Sequence, residues 1–595
     1  MLKTIRNAVA LLWIDVRYVL MFLLPIKLHV LWHQLAHGGR FSVVSLWRRS
    51  VRRWPGKVAL VFHGTTYSFG RLDELARRAA RALDAPSLAP GMRVAISGEN
   101  EPAFLWHALA LLEMGCVPVI VRPTLSESDL LAYLAGYERL PLLVASEHTL
   151  RALPDAVRAR FAAVRAWHPD GADLRGLDPV PAAALAARRA DATLWSEVFH
   201  IGTSNTSGAS KACVEHHGSI LGFILGHAYM KGLTPADRVY TTATLSHGEG
   251  FAVGALVPWA IGASVCLDDR FDPDRYFENC QKNDVTVISY VDTMPRRLLA
   301  TPPGPADRTH RVRVASGHEM LETCWREFQT RFGIPRVVEY FAATEGTFFF
   351  KNEEWPGAVG VLGPLGTALF PFVILKVDDD GELTREHGLP VRCARGEVGE
   401  LFGAIDAADP LSLSRYADAR LDGPTKYADL LAPGDRWHRS GDLVRHDPDG
   451  RVYWAGKRGV AFRNAGTWVN PQVVEDKLAG GRLPFAEVLA FCVRRGGRRA
   501  PALRVKLAAP MAAEPLFAGL AEVLDPAEVP ELVVLDEAPC TWTASLRRRR
   551  NAPVLDEAGL RAEGRPVLVR PGAEIDFTYR ELPLSSRGAV HAFAE

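Results

Sequence analysis

The stretch "TSNTSGASK", Thr203 to Lys211, gathers Thr203, Ser204, Thr206, Ser207 and Ser210 around Asn205 and Gly208, ahead of a single lysine. Hydroxyls and backbone N–H groups donate to phosphate oxygens and an ammonium adds a point charge, so the composition suits an anion. The glycine spacing is not that of the P-loop pattern GxxxxGK[ST]. Clusters of this composition are also ordinary material for solvated turns. The elements around the loop have to decide between the two readings.

Those elements alternate between strand and helix. "KVALVF" (57 to 62) and "RVAISG" (93 to 98) read as strands, while "SFGRLDELARRAARAL" (68 to 83) repeats apolar residues at helical spacing. "AFLWHALALLEMGCVPVIV" predicts a helix, a stop at Gly115 and a buried strand. The alternation continues to about residue 350, which implies crossover connections and mostly parallel sheet, with ligands beyond the strands' carboxyl ends. "TSNTSGASK" follows the apolar "EVFHIG" and precedes "ILGFILGHAYM". That places it in a strand-to-helix loop and favours the phosphate reading. The Arg/Ala-rich "VRARFAAVRAW" and "PAAALAARRADA" read as surface helices. A Pro-rich "ATPPGPADR" (300 to 308) and "VRHDPDGRVYWAGKRG" (444 to 459), a turn between strands followed by a basic connector, punctuate the remainder.

At 595 residues the chain exceeds one hydrophobic core and predicts about two to four domains. Its 70 basic against 68 acidic side chains leave a formal charge of +2, which makes no general case for nucleic acid. Hydrophobic residues at 48% indicate a globular chain. The eight cysteines are scattered without a CxxC pair, which argues for reduced thiols facing the cytosol and against a zinc site or disulfide framework.

The first 45 residues differ. "AVALLWIDVRYVLMFLLPIKLHVLW", Ala8 to Trp32, is largely apolar but carries Asp15, Arg17 and Lys27, so its charge-free run falls short of the roughly 20 residues that span a bilayer. It reads as a helix lying in a membrane interface, with Trp13, Tyr18 and Trp32 near the headgroups. The competing reading is a soluble N-terminal helix packed on the body.

Several stretches, in order, resemble the acyl-adenylate-forming (AMP-dependent synthetase/ligase) superfamily, and within it the fatty acid transport protein and very-long-chain acyl-CoA synthetase branch. "TSNTSGASKACVEHHG" is similar to the superfamily's phosphate-binding motif, Arg270 to Gly346 is similar to the branch throughout, ending "YFAATEG", and "HRSGDLVRHDPDGRVYWAGKRGVAFRNAGTWVNPQVVE" resembles the block joining the two domains. The resemblance implies an α/β fold. A large N-terminal domain (46–455) of mostly parallel sheets with helices plus a small β-barrel part would precede a small α+β lid (456–595). It implies ATP, Mg²⁺ and coenzyme A, a fatty acid substrate and no nucleic acid, and leaves a homodimer open. A carboxylate would join the α-phosphate of ATP, and the acyl group would pass to coenzyme A as the lid rotates.

Position by position, the resemblance carries Thr203, Ser204, Asn205, Thr206, Ser207, Gly208 and Lys211 onto the loop around the β and γ phosphates. Glu345 falls on the magnesium ligand, Thr344 on a contact to the α-phosphate, Phe341 and Ala342 on the adenine motif, Asp442 on the ribose ligand and Lys457 on the hinge arginine. His247, in "LSHGEG", falls near the acyl tunnel; a structural histidine is the competing reading. Asn205 and Ala342 replace glycines of the family pattern. The lid lysine's position holds Ser545, and the last lysine in the chain is Lys506. Arg547 and Arg548 supply charge nearby, but a planar guanidinium is a different donor from a compact ammonium. Losing one preorganised donor costs about 10² to 10³ in rate. Three outcomes follow: a divergent fatty acid–CoA ligase, an impaired pseudoenzyme acting as a lipid-binding or membrane scaffold, and an adenylate-forming enzyme with another acyl acceptor.

Overall fold

The fold is seen in a computed structural model that describes residues 16, 19–84, 87–203, 211–291, 293–320, 322–361, 371–412, 415–478, 483–495, 498–509 and 511–536. Short strand segments follow at 541–542, 548–549, 554–555 and 567–569. Two sheets carry most of the chain. In chain order the strands are β1 (Val58–Phe62), β2 (Thr65–Ser68), β3 (Arg93–Ser97), β4 (Val117–Ile120), β5 (Leu140–Ser146), β6 (Phe161–Trp167), β7 (Glu197–Gly202) and β8 (Ala212–His216). Then come β9 (Arg238–Thr241), β10 (Ser264–Leu267), β11 (Val287–Val291), β12 (Val314–His318), β13 (Arg336–Ala342) and β14 (Phe349–Asn352). One sheet runs β6-β5-β3-β4-β7-β8 and the other β14-β13-β12-β11-β9-β10-β1-β2. Their interiors are parallel, and the antiparallel pairs β7–β8, β13–β14 and β1–β2 sit at the edges. This is the mostly parallel α/β arrangement that the strand–helix alternation predicts.

Helices α2 (Phe69–Ala82), α3 (Pro102–Glu113) and α4 (His217–Lys231) pack on these sheets, and the N-terminal α1 (Leu24–His37) packs on α4. Every residue of α3 is buried, which explains its all-round apolar sequence. Trp106 on α3 joins Trp259, Phe104, Phe251 and Leu111 in the largest core. Each such side chain contributes about 1.5–3 kcal/mol by leaving water. Helix α2 begins at Ser68, whose hydroxyl accepts from the Arg71 N–H at 3.1 Å and caps the first turn.

Two local expectations change. "TSNTSGASK" joins β7 to β8 as a strand-to-strand connection, because Ala212–His216 pairs back on β7 before α4 starts. "VRARFAAVRAW" is not a surface helix: after a short turn it becomes β6, an edge strand whose Phe161 and Trp167 are buried and whose intervening residues are exposed. Pairing along β5 outweighs the helix preference of its alanines and arginines. "PAAALAARRADA" does contain a helix, Ala182–Arg188.

The expected barrel-like part is a six-stranded antiparallel sheet. It contains Ala358–Val361, Arg451–Lys457, Arg436–His446, Val398–Ala404, Phe372–Leu375 and Lys426–Ala428. After Lys457 the chain builds a smaller α+β unit on the long hairpin Phe485–Arg495 and Arg498–Leu507, with Leu516, Phe517 and Leu520 of a helix in its core.

The N-terminal helix α1 lies on the body. Leu23, Ile26 and Val30 are buried, and Lys27 pairs with Asp409. Beside it on α4, Gly222 makes room for Leu411: a Cβ there would stand 2.3 Å from Leu411 Cδ2, and at an ordinary contact distance of 3.6 Å from Ile26 Cγ2. On the opposite side Leu20, Leu28, Leu31, Trp32 and Leu35 are exposed, at spacings that form one stripe. Among the described residues no helix is long and apolar enough to cross a membrane. Trp13 and Tyr18 lie outside the described residues.

Candidate active site

The loop after β13 ends at Gly346, whose left-handed φ of +70° suits glycine, and its amide donates to Ala343 O at 2.9 Å. This tight turn projects Thr344 and Glu345 at the carboxyl end of a parallel strand. Beyond β7, Thr203 and Lys211 face each other: the Thr203 N–H donates to Lys211 O at 3.0 Å, and the Lys211 N–H reaches Thr203 Oγ1 at 3.4 Å. The antiparallel sheet supplies the other wall. Its register sets Asp442 opposite Lys457, and the Lys457 ammonium stands 2.8 Å from Asp442 Oδ1, which also accepts from Trp454 Nε1 at 3.0 Å.

These pieces meet around one cavity of about 730 Å³. Thr203, Lys211, Phe341, Ala342, Thr344, Glu345, Asp442, Lys457 and His247 all line it. Ser204, Asn205, Thr206, Ser207 and Gly208 lie outside the described residues, as do Ser545 and Arg547; of the Arg548 side chain nothing is described. The cavity extends between α1, α4 and the π-helical segment Glu249–Leu256, where Leu23, Ile26, Ile220, Phe223, Val253 and Leu411 make an apolar wall.

Residues outside the predicted set organise this site. Tyr416 reaches it because residues 415–417 add to the edge of β8: Val214 N–H donates to Arg415 O at 3.0 Å and Ala417 N–H to Ala212 O at 2.9 Å. Its hydroxyl donates to Glu345 Oε1, and the ammoniums of Lys211 and Lys426 stand over its ring at 5.1 and 5.4 Å. His438 Nε2 lies 3.9 Å from the same carboxylate oxygen, and its Nδ1 is 2.9 Å from Thr347 Oγ1. Burial acts to raise the Glu345 carboxyl. His438, the Tyr416 hydroxyl, its own amide and Lys457 together outweigh that and hold it below the usual carboxylate range. Glu345 is therefore an ionised, hard oxygen donor inside the protein, which suits a divalent cation. Glu215 lines the same cavity in the opposite state: burial, with help from the charge of Glu345, pushes it up to about 8 against its bond from Ser219.

His438 lies two residues before the "SGDL" block, so its neighbourhood was legible, although nothing in its spacing singles it out. Tyr416 sits in no motif, and only the long-range pairing with β8 brings it to Glu345.

Residues 47–404 match the family model described as AMP-binding enzyme, and the chain belongs to that family. Long-chain fatty acid transport protein 2 of Rattus norvegicus is 29% identical over 467 residues, covering 75% of this chain and 73% of that protein. Long-chain fatty acid transport protein 1 of Bos taurus is 28% identical over 550 residues, covering 89% and 84%. Among solved structures, a benzoate CoA ligase from Burkholderia xenovorans LB400 superposes with a TM-score of 0.68 at 23% identity, over 86% of this chain and 99% of that one. An O-succinylbenzoate coenzyme A synthetase from Bacillus subtilis, in complex with ATP and magnesium ion, gives 0.66 at 19%, over 85% and 98%. These likenesses establish the α/β fold with its large N-terminal and smaller C-terminal parts.

Proposed function

We propose that the chain is an ATP-dependent acid–thiol ligase that activates a long-chain or very-long-chain fatty acid as its acyl-adenylate and transfers the acyl group to coenzyme A, in fatty acid uptake or lipid metabolism. The observation that carries this reading is the convergence of Lys211, Thr344, Glu345, Asp442 and Lys457 on one cavity with an apolar extension. The relatives named as long-chain fatty acid transport proteins support the choice of acid.

Roles follow from the chemistry of each group. Lys211 and Thr203 would hold the phosphates, with Ser204, Asn205, Thr206, Ser207 and Gly208 of the same loop. Phe341 and Ala342 would bound the adenine, Asp442 would accept from the ribose hydroxyls, and Lys457 would hold Asp442 in place. Glu345 would bind Mg²⁺, which when bound neutralises phosphate charge. In-line displacement at phosphorus asks the protein for positioning and charge rather than acid–base work. Tyr416 and His438 meet that demand by fixing the Glu345 carboxylate from two sides. Residues 46–455 would form the adenylating body and 456–595 the lid. The exposed stripe of α1 supports a membrane-surface role for residues 1–45, with the body on the cytosolic side.

A second reading is favoured by one fact: no lysine follows Lys506, so the lid offers no ammonium at Ser545. In that reading the chain binds nucleotide and acid but adenylates slowly, and acts as a lipid-binding scaffold or uses another acceptor. Purified protein given ATP, Mg²⁺ and a fatty acid panel separates the two. Acid-dependent pyrophosphate release, with acyl-CoA detected by mass spectrometry on adding coenzyme A, is the expected result. Nucleotide binding without pyrophosphate would leave the scaffold reading standing, and acyl-AMP without thioester would point to another acceptor.

A further inference from the structure

At one end of the cavity's apolar wall stands a carboxyl group. Glu249 opens the π-helical segment, is 4% exposed and lines the cavity. Its Oε2 accepts from the Tyr340 hydroxyl, while its Oε1 is buried without a hydrogen-bond partner. Behind it lies a cluster of buried polar atoms in the same condition. Lys231 Nζ, at the end of α4, is fully buried and unpartnered, and so are both ring nitrogens of His227 one turn earlier. His227 is enclosed by the rings of Phe223, Tyr340 and Phe349, at 4.2, 4.6 and 5.6 Å between centroids.

The sheet beneath contributes hydroxyls. Ser289 on β11 pairs in register with Ser316 on β12, and Thr241 ends the neighbouring β9. Side chains alternate along a strand. These three share the face of Val239, Val287 and Val314, all members of the core that contains residues of α4 and the π-helical segment. Their oxygens are likewise buried and unpartnered. A Cβ on Gly254 of that segment would stand 2.8 Å from Thr241 Oγ1, so this hydroxyl lies directly against it.

Buried polar groups in folded proteins are satisfied by protein, ordered water or ligand. An apolar chain offers Glu249 nothing, because it leaves Oε1 unmet. Burial lowers the Lys231 ammonium to about 8, while the adjacent Glu249 acts to raise it, so the two groups lie within electrostatic reach. A charged occupant would unbalance that pair. A neutral group that both donates and accepts fits it.

We infer that the acid taken by this cavity carries a hydroxyl group on its acyl chain, received by Glu249, the member of this cluster that lines the cavity. This specificity rests on the ligase reading above. The hydroxyl donates to Glu249 Oε1, which makes Glu249 the residue that tells a hydroxylated acid from a plain one. A site built to bond a substrate hydroxyl discriminates strongly against the analogue that lacks it.

The test compares palmitic acid with its mid-chain and terminally hydroxylated counterparts on the full chain, with ATP, Mg²⁺ and coenzyme A. Acyl-CoA formation and calorimetric acid binding are both read. At least one hydroxylated acid is expected to exceed palmitic acid by about tenfold or more in kcat/KM. Glu249→Leu should reverse that order, gaining on palmitic acid and losing on the hydroxylated one. Glu249→Gln, which keeps the shape, should retain part of the preference, and circular dichroism checks that both variants fold. Equal or better use of palmitic acid by the wild-type chain, with an order unchanged in Glu249→Leu, overturns the inference and means that ordered water fills the cluster; the ligase reading then stands. Where no acid is turned over, the ligase reading falls, and calorimetry decides this one: preferential binding of a hydroxylated acid that Glu249→Leu abolishes supports it, and equal or absent binding overturns it.

Discussion

The two halves of the cavity treat charge in opposite ways. Around the phosphate side, charged groups hold one another: Tyr416 and His438 bracket Glu345, Lys457 and Trp454 bracket Asp442, and Lys211 rests on the ring of Tyr416. On the acyl side the shape is set by apolar packing through Gly222, and the polar atoms at Glu249, Lys231 and His227 have no mutual bonds. Pairing fixes geometry before a ligand arrives, and so lowers the reorganisation that charge development would demand. Packing sets only a volume. On the function proposed above, chemistry is built into the first half and selection into the second.

The strongest way to break this comparison is Glu345→Ala. If the paired half carries the chemistry, acid-dependent pyrophosphate release falls by about 10² to 10³. A loss under tenfold would show that its partners do not serve a reacting centre.

Gly222→Val probes the other half. The added side chain has no room against Leu411, so stability should fall by about 1–3 kcal/mol in denaturant unfolding, and acid binding should weaken more than ATP binding. An unchanged unfolding midpoint would mean that α1 and the 411 loop yield freely.

Tyr416 sharpens the account of the phosphate side. Tyr416→Phe removes the bond to Glu345 and keeps the ring under Lys211, so a loss of about 1 kcal/mol, or several-fold in kcat, is expected. Tyr416→Ala removes both and should cost more. Equal rates for the two would locate the whole effect in the hydroxyl.

Glu215 gives the same region a pH signature. Its folded value lies at about 8 against an ordinary 4.5. The folded protein therefore keeps a proton that the unfolded chain releases, and stability present at low pH is lost as pH rises from about 4.5 to 8. Melting temperature should decline across that window, and Glu215→Gln should flatten the decline. A parallel curve for the variant would remove Glu215 from the account.

The smallest effect on the fold belongs to the exposed stripe of α1. Leu28→Glu with Leu35→Glu should change stability by no more than about 0.5 kcal/mol while reducing co-sedimentation with anionic vesicles. Undiminished vesicle binding would move any membrane contact elsewhere.

Much of this was legible in the residues themselves. The strand–helix alternation in "KVALVF", "RVAISG" and the run through Gly115 follows from side-chain periodicity, which is a local property. The order of "TSNTSGASK", "YFAATEG" and "SGDL" named Thr203, Lys211, Thr344, Glu345 and Asp442, all of which line one cavity. Other features were beyond local pattern. The Arg/Ala composition of residues 157–167 favours helix, and only pairing with β5 makes most of it an edge strand. Tyr416 meets Glu345 because a distant segment adds to β8, and Thr241, Ser289 and Ser316 share a face only because parallel crossovers set β9, β11 and β12 side by side. Periodicity and motif order are written along the chain, whereas partners far apart in sequence are chosen by sheet register and packing, which exist only once the chain has folded.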